Sequence, residues 1–298
     1  MATNVTINAG YEGALAGDIF VQAFKKSDTI AKNAITVLPN VIGTGYLPKL
    51  SYSSGLTAYA CGWTPSGDVE YADKAVATKK FMIQHELCKD EFHQTFQAQA
   101  QGLFGANNEI PTDIQDAILL AMVNNMGSVV DTQIWQGAGG ANNFDGLLPQ
   151  FVADATVIDV TIAAVTKANV VAQLDLAFDS VPDSVEDDED LVISVSKNVA
   201  KAYKRAQASM GTNTTVGDKE LDYLGVRMES LSGLPANTIA IYRVKNLGFV
   251  TGLQSDMNDI KIIDSDATTG DGQIRTKAVF SAGVGYSFGS EIVYARPA

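Results

Sequence analysis

Two histidines and the carboxylates beside them are the first residues to consider for metal binding or catalysis. His85 is followed directly by Glu86, and His93 lies two residues after Glu91. The chain contains only two histidines and two cysteines, and their spacing matches no zinc-binding pattern. The two glutamates are placed like ordinary surface carboxylates. The sequence therefore predicts neither a metal site nor a catalytic histidine.

An acidic stretch is the second candidate for a metal site. Carboxylates crowd residues 179–190, including three aspartates and two glutamates at 186–190. A calcium loop alternates its ligands regularly around a glycine turn, and this stretch has no such turn. Two interpretations remain, a solvated and self-repelling loop, which we favour, and a calcium site.

Thiol and nucleotide chemistry have little support. Cys61 and Cys88 are too few for a disulfide framework, and we expect both to be free thiols. The glycine-rich residues 137–143 lack the GxGxxG spacing and follow a predicted helix, whereas a dinucleotide site requires that motif after a strand. No nucleophile–base pair or phosphate loop is evident, so we expect no enzyme activity and no cofactor.

Composition sets the class of protein. The 298 residues are 46% hydrophobic and 18% charged, which is ordinary for one large or two modest globular domains. No apolar run is long enough to cross a membrane, and the first residues do not form a signal peptide. The net charge of −13 argues against a protein that grips nucleic acid electrostatically.

A long helix is predicted to begin near Thr112 and to end after Trp135. Thr112 and Gln115 have capping-box spacing, and the apolar residues that follow recur every three or four positions on more than one side. The helix should therefore be covered from two directions. A dense series of turn residues follows, so we expect a junction between two lobes here, with the candidate residues Trp135, Gly137, Gly139, Gly140 and Gly146.

The residues before this helix have a different character. Residues 35–78 are rich in Gly, Ser, Thr and Tyr, and two extended runs, Tyr46–Tyr52 and Val69–Thr78, are predicted to pair as a long hairpin. Lys79–Cys88 is predicted as the strand that follows. The amphipathic residues 17–26 form either a terminal helix on its own domain or an arm along a neighbouring subunit.

The second lobe is predicted to mix helices and strands. A helix at Lys167–Phe178 precedes the acidic stretch, and Ser196 is expected to cap a second helix. Residues 275–295 are expected to form one long strand or two hairpinned strands. The remaining predicted elements are the strand Leu191–Val195, the helix Lys197–Met210, and the strands Leu221–Met228 and Ile239–Tyr242.

This order of motifs resembles a known family. An aromatic residue followed by GAGGANNFDGLL at 137–148, then DLVISVSKNVAKAYKRAQASMG at 190–211 and NLGFVTGLQSD at 246–256, is similar to the major capsid proteins of tailed double-stranded DNA bacteriophages. The resemblance implies an α+β, Hong Kong 97-type capsid fold, which encapsulins share. Its parts would be an N-terminal arm (1–34), an extended β-hairpin loop (35–78), a peripheral domain with the long spine helix (79–145), an axial domain (146–240) and strands that return to the peripheral domain (241–298).

The resemblance also implies a function. Pentamers and hexamers of the chain would close into an icosahedral shell that encloses DNA without binding it specifically, as part of a virion assembled in the bacterial cytoplasm. Separate scaffolding, portal and decoration proteins are the expected partners, and no membrane is involved. The candidate contacts between subunits are the aromatic residues of the loop, Tyr46, Tyr52, Tyr59, Trp63 and Tyr71. The alternatives are an encapsulin-type compartment and, less favoured, a cytoplasmic enzyme or carbohydrate-binding β protein.

Overall fold

The computed structural model describes residues 28–53, 55–59, 61–62, 67–88, 127–209, 221–252, 260–264, 270 and 273–297. The sequence also predicts a short helix at residues 90–101. This segment, the amphipathic residues 17–26, residues 112–126 of the predicted long helix, and Trp63, Glu91 and His93 lie outside this set. Among the helices of the described ranges, none combines the length and apolar character needed to cross a membrane.

The described chain contains both helices and strands, and the strands outnumber the helices. The helices are α1 (Asp28–Ala31), α2 (residues 127–136, within the predicted long helix), α3 (Leu147–Ala153), α4 (Val170–Phe178), α5 (Asp183–Glu186) and α6 (Lys197–Ser209). The strands are β1 (Thr36–Leu38), β2 (Thr44–Tyr52), β3 (Val69–Ala77), β4 (Lys79–Cys88), β5 (Ile158–Ile162), β6 (Leu191–Ser196), β7 (Leu221–Tyr223), β8 (Val226–Leu231), β9 (Ile239–Arg243), β10 (Leu247–Thr251), β11 (Ile260–Asp264), β12 (Gln273–Tyr286) and β13 (Val293–Pro297).

The first sheet is built around the long strand β12. β12 pairs in antiparallel fashion with β4, β10 and β11, and β1 adds to β10 in parallel. Alternate side chains of β12 point to opposite faces, so Ala278 and Phe280 enter the core while Arg275 and Lys277 remain exposed. Phe81 of β4 stacks at 5.7 Å from Phe280 on the core side. The predicted strand Lys79–Cys88 is confirmed.

The second sheet has six strands in the order β5-β13-β9-β6-β8-β7. One face packs against α4 and α6, where Leu174 and Val199 meet Ile193 of β6 in one apolar cluster. The other face belongs to the cluster that contains Trp135, through Val192 and Tyr242. Because β6 is covered on both faces, all its residues are buried.

Two strand predictions differ from the structure. Leu221–Met228 is a tight hairpin of β7 and β8, because Leu224 and Gly225 have φ values of 50° and 83° and reverse the chain. Residues 241–298 were expected to return to the first lobe; β10, β11 and β12 belong to the first sheet, whereas β13 does not. β13 joins the second sheet between β5 and β9, where Val293, Tyr294 and Ala295 are all buried. Consecutive buried residues need cover on both faces, which this position provides.

A two-stranded hairpin, the flap, projects from the first sheet. Its strands β2 and β3 pair along their whole length from Thr44↔Ala77 to Tyr52↔Val69, which confirms the predicted hairpin. The base of the flap lies on the first sheet in an apolar cluster of Leu47, Val76 and Val250. The sheet is glycine-rich at this contact, because a Cβ at Gly285 would lie 2.5 Å from a methyl group of Val76.

A polar chain also holds the base of the flap. The ammonium group of Lys74 lies 3.5 Å from the ring centroid of Tyr286, a cation–π contact. The hydroxyl of Tyr286 donates to Oδ2 of Asp154 at 2.6 Å, and Thr156 donates to Oδ1 from its amide and its hydroxyl at 2.9 and 2.7 Å. The bonds from Tyr286 and then Thr156 lower the pKa of Asp154 to about 2. Burial lowers the pKa of Lys74, although Asp154 opposes this shift.

The lowered pKa of Asp154 predicts a specific acid dependence of subunit stability. Its folded pKa of about 2 lies below the ordinary value of 3.8, so the stabilisation is complete above pH 4 and is lost as the pH falls towards 2. Tyr286→Phe removes the strongest contribution to this shift. In urea unfolding of the dissociated subunit at several pH values, the variant should lose less stability between pH 4 and pH 2 than the intact chain.

Tyr203→Phe provides the control for this measurement. The hydroxyl of Tyr203 donates to the main-chain oxygen of Asp222 and contacts no carboxylate through this bond. Its acid dependence should match that of the intact subunit. An unchanged slope in Tyr286→Phe would show that Tyr286 does not set the pKa of Asp154.

Candidate assembly site

Trp135 lies where the two sheets meet. Its side chain is completely buried, its ring centroid is 6.0 Å from that of Tyr242 on β9, and its indole N–H donates to the Thr29 hydroxyl at 2.9 Å. Helix α2 therefore contacts the second sheet and the N-terminal helix α1 through one side chain. The sequence predicted that Trp135 lies at a junction between two lobes. In the structure, Trp135 lies between helix α1 and strand β9.

A buried carboxylate one helical turn earlier completes this contact. Asp131 is 1% exposed and accepts from the Thr29 amide at 3.0 Å and from the Ser232 hydroxyl at 2.8 Å. A buried carboxylate is stable only when hydrogen-bond donors surround it. Removal of one donor leaves a carboxylate oxygen without that partner, at a large cost in stability. We call Trp135, Asp131, Thr29 and Ser232 the junction. Sequence reasoning missed Asp131, although a carboxylate among apolar helix positions was a signal.

The turn after β8 approaches this helix very closely. A Cβ on Gly233 would lie 2.3 Å from the main-chain oxygen of Asp131, so only glycine fits without displacement. The side-chain amide of Gln136 donates to the oxygen of Gly233 at 2.6 Å. The two lobes thus touch main chain to main chain beside the junction.

The glycine-rich segment that follows α2 folds back as a compact loop. The amide of Gly146 donates to the oxygen of Gly137 at 2.8 Å, and a Cβ on Gly137 would lie 2.3 Å from the oxygen of Phe144. Gly139 and Gly140 have φ values of 72° and 94°, which favour glycine. Lys79 of β4 donates to the main-chain oxygens of the loop at Gly140 and Asn143, at 3.2 and 3.3 Å. The loop delivers the chain into α3, and helix α2 ends at Gln136.

The flap presents an uncovered apolar face. Tyr46, Tyr52 and Tyr71 lie on the side of the hairpin opposite to Leu47 and are between 61% and 69% exposed. The same face carries the exposed residues Leu50 and Val69, which the aromatic signal alone did not identify. Tyr59 lies in the connection between the strands and is 96% exposed. Cys61 in the same connection is an exposed free thiol.

The acidic stretch is more structured than expected. Oδ2 of Asp188 accepts from the Arg243 guanidinium at 3.2 Å, Asp190 pairs with Lys245, and Glu291 accepts from Nε of Arg243 at 3.1 Å. The amide of Asp190, together with Arg243, lowers the pKa of Asp188. The solvated, self-repelling interpretation is therefore wrong for these two aspartates. Asp183, Glu186, Asp187 and Glu189 are exposed, and the first two belong to helix α5.

Other residues that the sequence analysis considered lie in β4 or at the start of α6. Glu86 accepts from Nε of Arg275 at 2.8 Å on the first sheet, and His85 belongs to the neighbouring position of β4. Ser196 directly precedes α6. Its hydroxyl donates to Oδ1 of Asn198 and accepts from the Thr238 amide. No group of three His, Cys, Asp or Glu side chains suited to a metal ion occurs within the described residues.

The junction predicts a large stability loss from one truncation. Trp135→Ala removes a completely buried indole and leaves the Thr29 hydroxyl without its donor, and such a change costs about 3–5 kcal/mol. Val129→Ala, on an exposed position of the same helix, should change stability by at most about 0.5 kcal/mol. Denaturant unfolding of the two dissociated subunits compares these losses. Equal losses would show that Trp135 is not a core element of the lobe contact.

The chain has counterparts among proteins of known structure. No family model matches the sequence, and no curated protein matches it. Solved structures do match. The capsid of an empty GTA particle covers 92% of this chain and 91% of its own at a TM-score of 0.62 and 10% identity. The procapsid of satellite phage P4 with its size determination protein covers 94% of this chain and 98% of its own, at a TM-score of 0.57 and 11% identity. A virus-like particle from Pyrococcus furiosus covers 95% of this chain and 98% of its own, at a TM-score of 0.53 and 9% identity.

These matches extend over nearly the whole of each chain. At such low identity they establish the fold and carry no residue roles. The chain has the α+β, Hong Kong 97-type capsid fold.

Proposed function

We propose that this chain is the major capsid protein of a tailed double-stranded DNA phage. Its copies assemble as pentamers and hexamers into an icosahedral shell around the genome. The observation that carries this proposal is the apolar outer face of the flap, exposed in the single chain, on a fold whose structural neighbours include a GTA capsid and the P4 procapsid.

The flap needs a partner for physical reasons. A two-stranded hairpin is marginally stable alone, and only the base of this flap is buried on its own sheet. A continuous exposed apolar face is typical of a protein–protein contact, and aromatic residues are enriched in such contacts. We propose that Tyr46, Tyr52, Tyr59 and Tyr71, with Trp63 in the same segment, contact a neighbouring copy.

The junction supports a second part of the proposal. Trp135 and the glycines 137, 139, 140 and 146 hold the long helix, the loop and the second sheet at one angle. A subunit with a fixed angle between its lobes can tile a closed surface, since each copy then presents the same contacts to its neighbours. The first lobe would be the peripheral domain and the second the axial domain, with residues 1–34 as the arm.

The proposed function also specifies the contents of the shell, the place of assembly and the partner proteins. The shell encloses DNA without specific binding, which is consistent with a net charge of −13. Assembly takes place in the cytoplasm of a bacterial host, and the product is the virion. Scaffolding, portal and decoration proteins would be separate chains.

Native mass of the expressed full chain tests the proposal. Shell formation should give particles in the megadalton range by sedimentation or native mass spectrometry, because many copies close into one assembly. A small closed oligomer or a monomer at micromolar concentration would contradict the proposal and favour an enzyme or a binding protein.

A second candidate function shares the shell but changes its contents. The match to the Pyrococcus furiosus virus-like particle favours an encapsulin-type compartment. Particles recovered from the native host distinguish the two candidates. Packaged double-stranded DNA supports the capsid, whereas a protein cargo in place of DNA supports the compartment.

The flap predicts a separation of folding from assembly. Deletion of residues 50–71, closed with a short Gly-Ser turn, keeps the Lys49↔Ala72 pair and the base contacts of Leu47, Lys74 and Val76. The removed side chains are largely exposed, and closure of a shorter loop costs little. The melting temperature of the dissociated subunit should stay within a few degrees, and megadalton particles should be lost.

Point variants refine this test. Tyr52→Ser with Tyr71→Ser should also abolish particles without unfolding the subunit. Leu224→Asn is the matched control, because Leu224 is 70% exposed on the second lobe and its φ of 50° suits asparagine. Normal particles from the flap deletion would overturn the role of the flap.

A further inference from the structure

Helix α6 carries a basic stripe on its outer side. The stripe consists of Lys197, Lys201, Lys204 and Arg205, which are all exposed. Their spacing of four, three and one residues puts them on one side of the helix. At 1.5 Å per residue the stripe is about 12 Å long. No aspartate or glutamate occurs between residues 197 and 209, so nothing on the helix itself balances this charge.

The packing of α6 fixes the direction of the stripe. Val199, Tyr203 and Ala206 are buried in the apolar cluster of the second sheet. The hydroxyl of Tyr203 also donates to the main-chain oxygen of Asp222 in β7 at 3.0 Å. The basic stripe therefore faces away from the sheet, and it cannot turn inward unless these contacts are broken.

Ion pairs within the chain account for little of this positive charge. Lys197 lies 3.5 Å from Asp28, and both side chains are partly exposed. None of the ion pairs found among the described residues includes Lys201, Lys204 or Arg205. Three cations in a row are thus available to a partner.

Helix stability does not explain the stripe either. Cations are favourable in the last turn of a helix, but the last turn of α6 contains no basic residue. Lys201 has a like charge four residues before it, at Lys197, and four residues after it, at Arg205. Like charges at this spacing destabilise a helix. The stripe is therefore unfavourable in the isolated subunit, and an anionic partner would offset this effect.

The composition of the stripe favours a phosphate backbone over a protein partner. The exposed side of α6 has no apolar side chain larger than that of Ala208. Protein contacts have an apolar or aromatic centre and are depleted in lysine. Lysine and arginine neutralise DNA phosphates and displace their counterions, and about 12 Å of duplex carries about seven phosphates.

The net charge of −13 makes such a contact local and weak. The acidic remainder of the chain repels DNA, so phosphates approach at the stripe, where each copy contributes few cations. Every copy in a shell presents the same stripe, so weak contacts recur at regular intervals along the wall. The contact is independent of base sequence, because phosphates carry no sequence information.

We propose that the basic stripe of α6 binds the phosphate backbone of duplex DNA without regard to its sequence. The inference rests on the proposed shell function and deepens it, because it assigns the surface of the wall that contacts the genome.

Salt-dependent binding of duplex DNA to the dissociated full-length subunit tests this assignment. Fluorescence anisotropy with a labelled duplex of about 20 base pairs, between about 20 and 150 mM salt, should give a slope of log K against log salt of about −3 to −4. The α6 variant, Lys201→Gln with Lys204→Gln and Arg205→Gln, should bind at least about tenfold more weakly at low salt. The magnitude of its slope should fall by about 3.

A matched control removes the same net charge elsewhere. Lys80→Gln with Lys167→Gln and Lys277→Gln changes three exposed cations outside α6. This control should bind the duplex like the intact subunit. Both variants should melt at the temperature of the intact subunit, because each exchanges only exposed side chains.

Each result decides the proposal. Loss of duplex binding in the α6 variant, with binding retained in the control, supports the assigned surface. Absence of duplex binding by the intact subunit at the lowest salt, or an equal loss in the control, overturns it. Tighter binding of polyglutamate than of duplex DNA also overturns it and identifies an acidic protein segment as the occupant.

Native mass keeps this inference separate from the proposed function. The intact chain and the α6 variant should both form megadalton particles. If the α6 variant melts normally but forms no particles, the stripe is a contact between copies and the assignment to DNA is overturned. If the intact chain forms no particles, the proposed function fails, whether or not the subunit binds the duplex.

Discussion

The buried carboxylate of Asp131 and the indole of Trp135 are the contacts on which the arrangement of the two lobes depends. Thr29 and Ser232 donate to Asp131, and these donors come from the N-terminal helix and from the second lobe. Trp135 adds apolar burial and a donor to the same place. Since a partly satisfied buried charge is costly, any rotation of one lobe against the other is opposed at this point.

A fixed angle between the lobes has consequences at the surface. The central strand β6 of the second sheet is buried on both faces, so it contributes stability and no contact area. Among the described residues, the base of the flap covers the outer face of the first sheet around Gly283 and Gly285. Exposed apolar side chains cluster on the flap, at Tyr46, Leu50, Tyr52, Val69 and Tyr71.

Local patterns in the sequence were sufficient for some of these features. Two extended runs bounded by turn residues predicted the flap strands, and alternation of side chains predicted β4. The glycines after Trp135 predicted the end of helix α2, because they favour backbone conformations that end a helix. The partners of Asp188 and Asp131 were not predictable in this way, since Arg243 and Thr29 lie far away in the chain. The placement of β13 was also missed, because its burial on both faces depends on strands distant in sequence.

The central claim is that copies of this chain close into a shell in which each flap lies on a neighbour. Electron cryomicroscopy of particles formed by the purified full-length chain tests it most directly. The account predicts an icosahedral reconstruction in which the outer face of each flap contacts an adjacent subunit and the junction at Trp135 is the same in every copy. A small closed oligomer, or a shell in which every flap packs only on its own subunit, would contradict it.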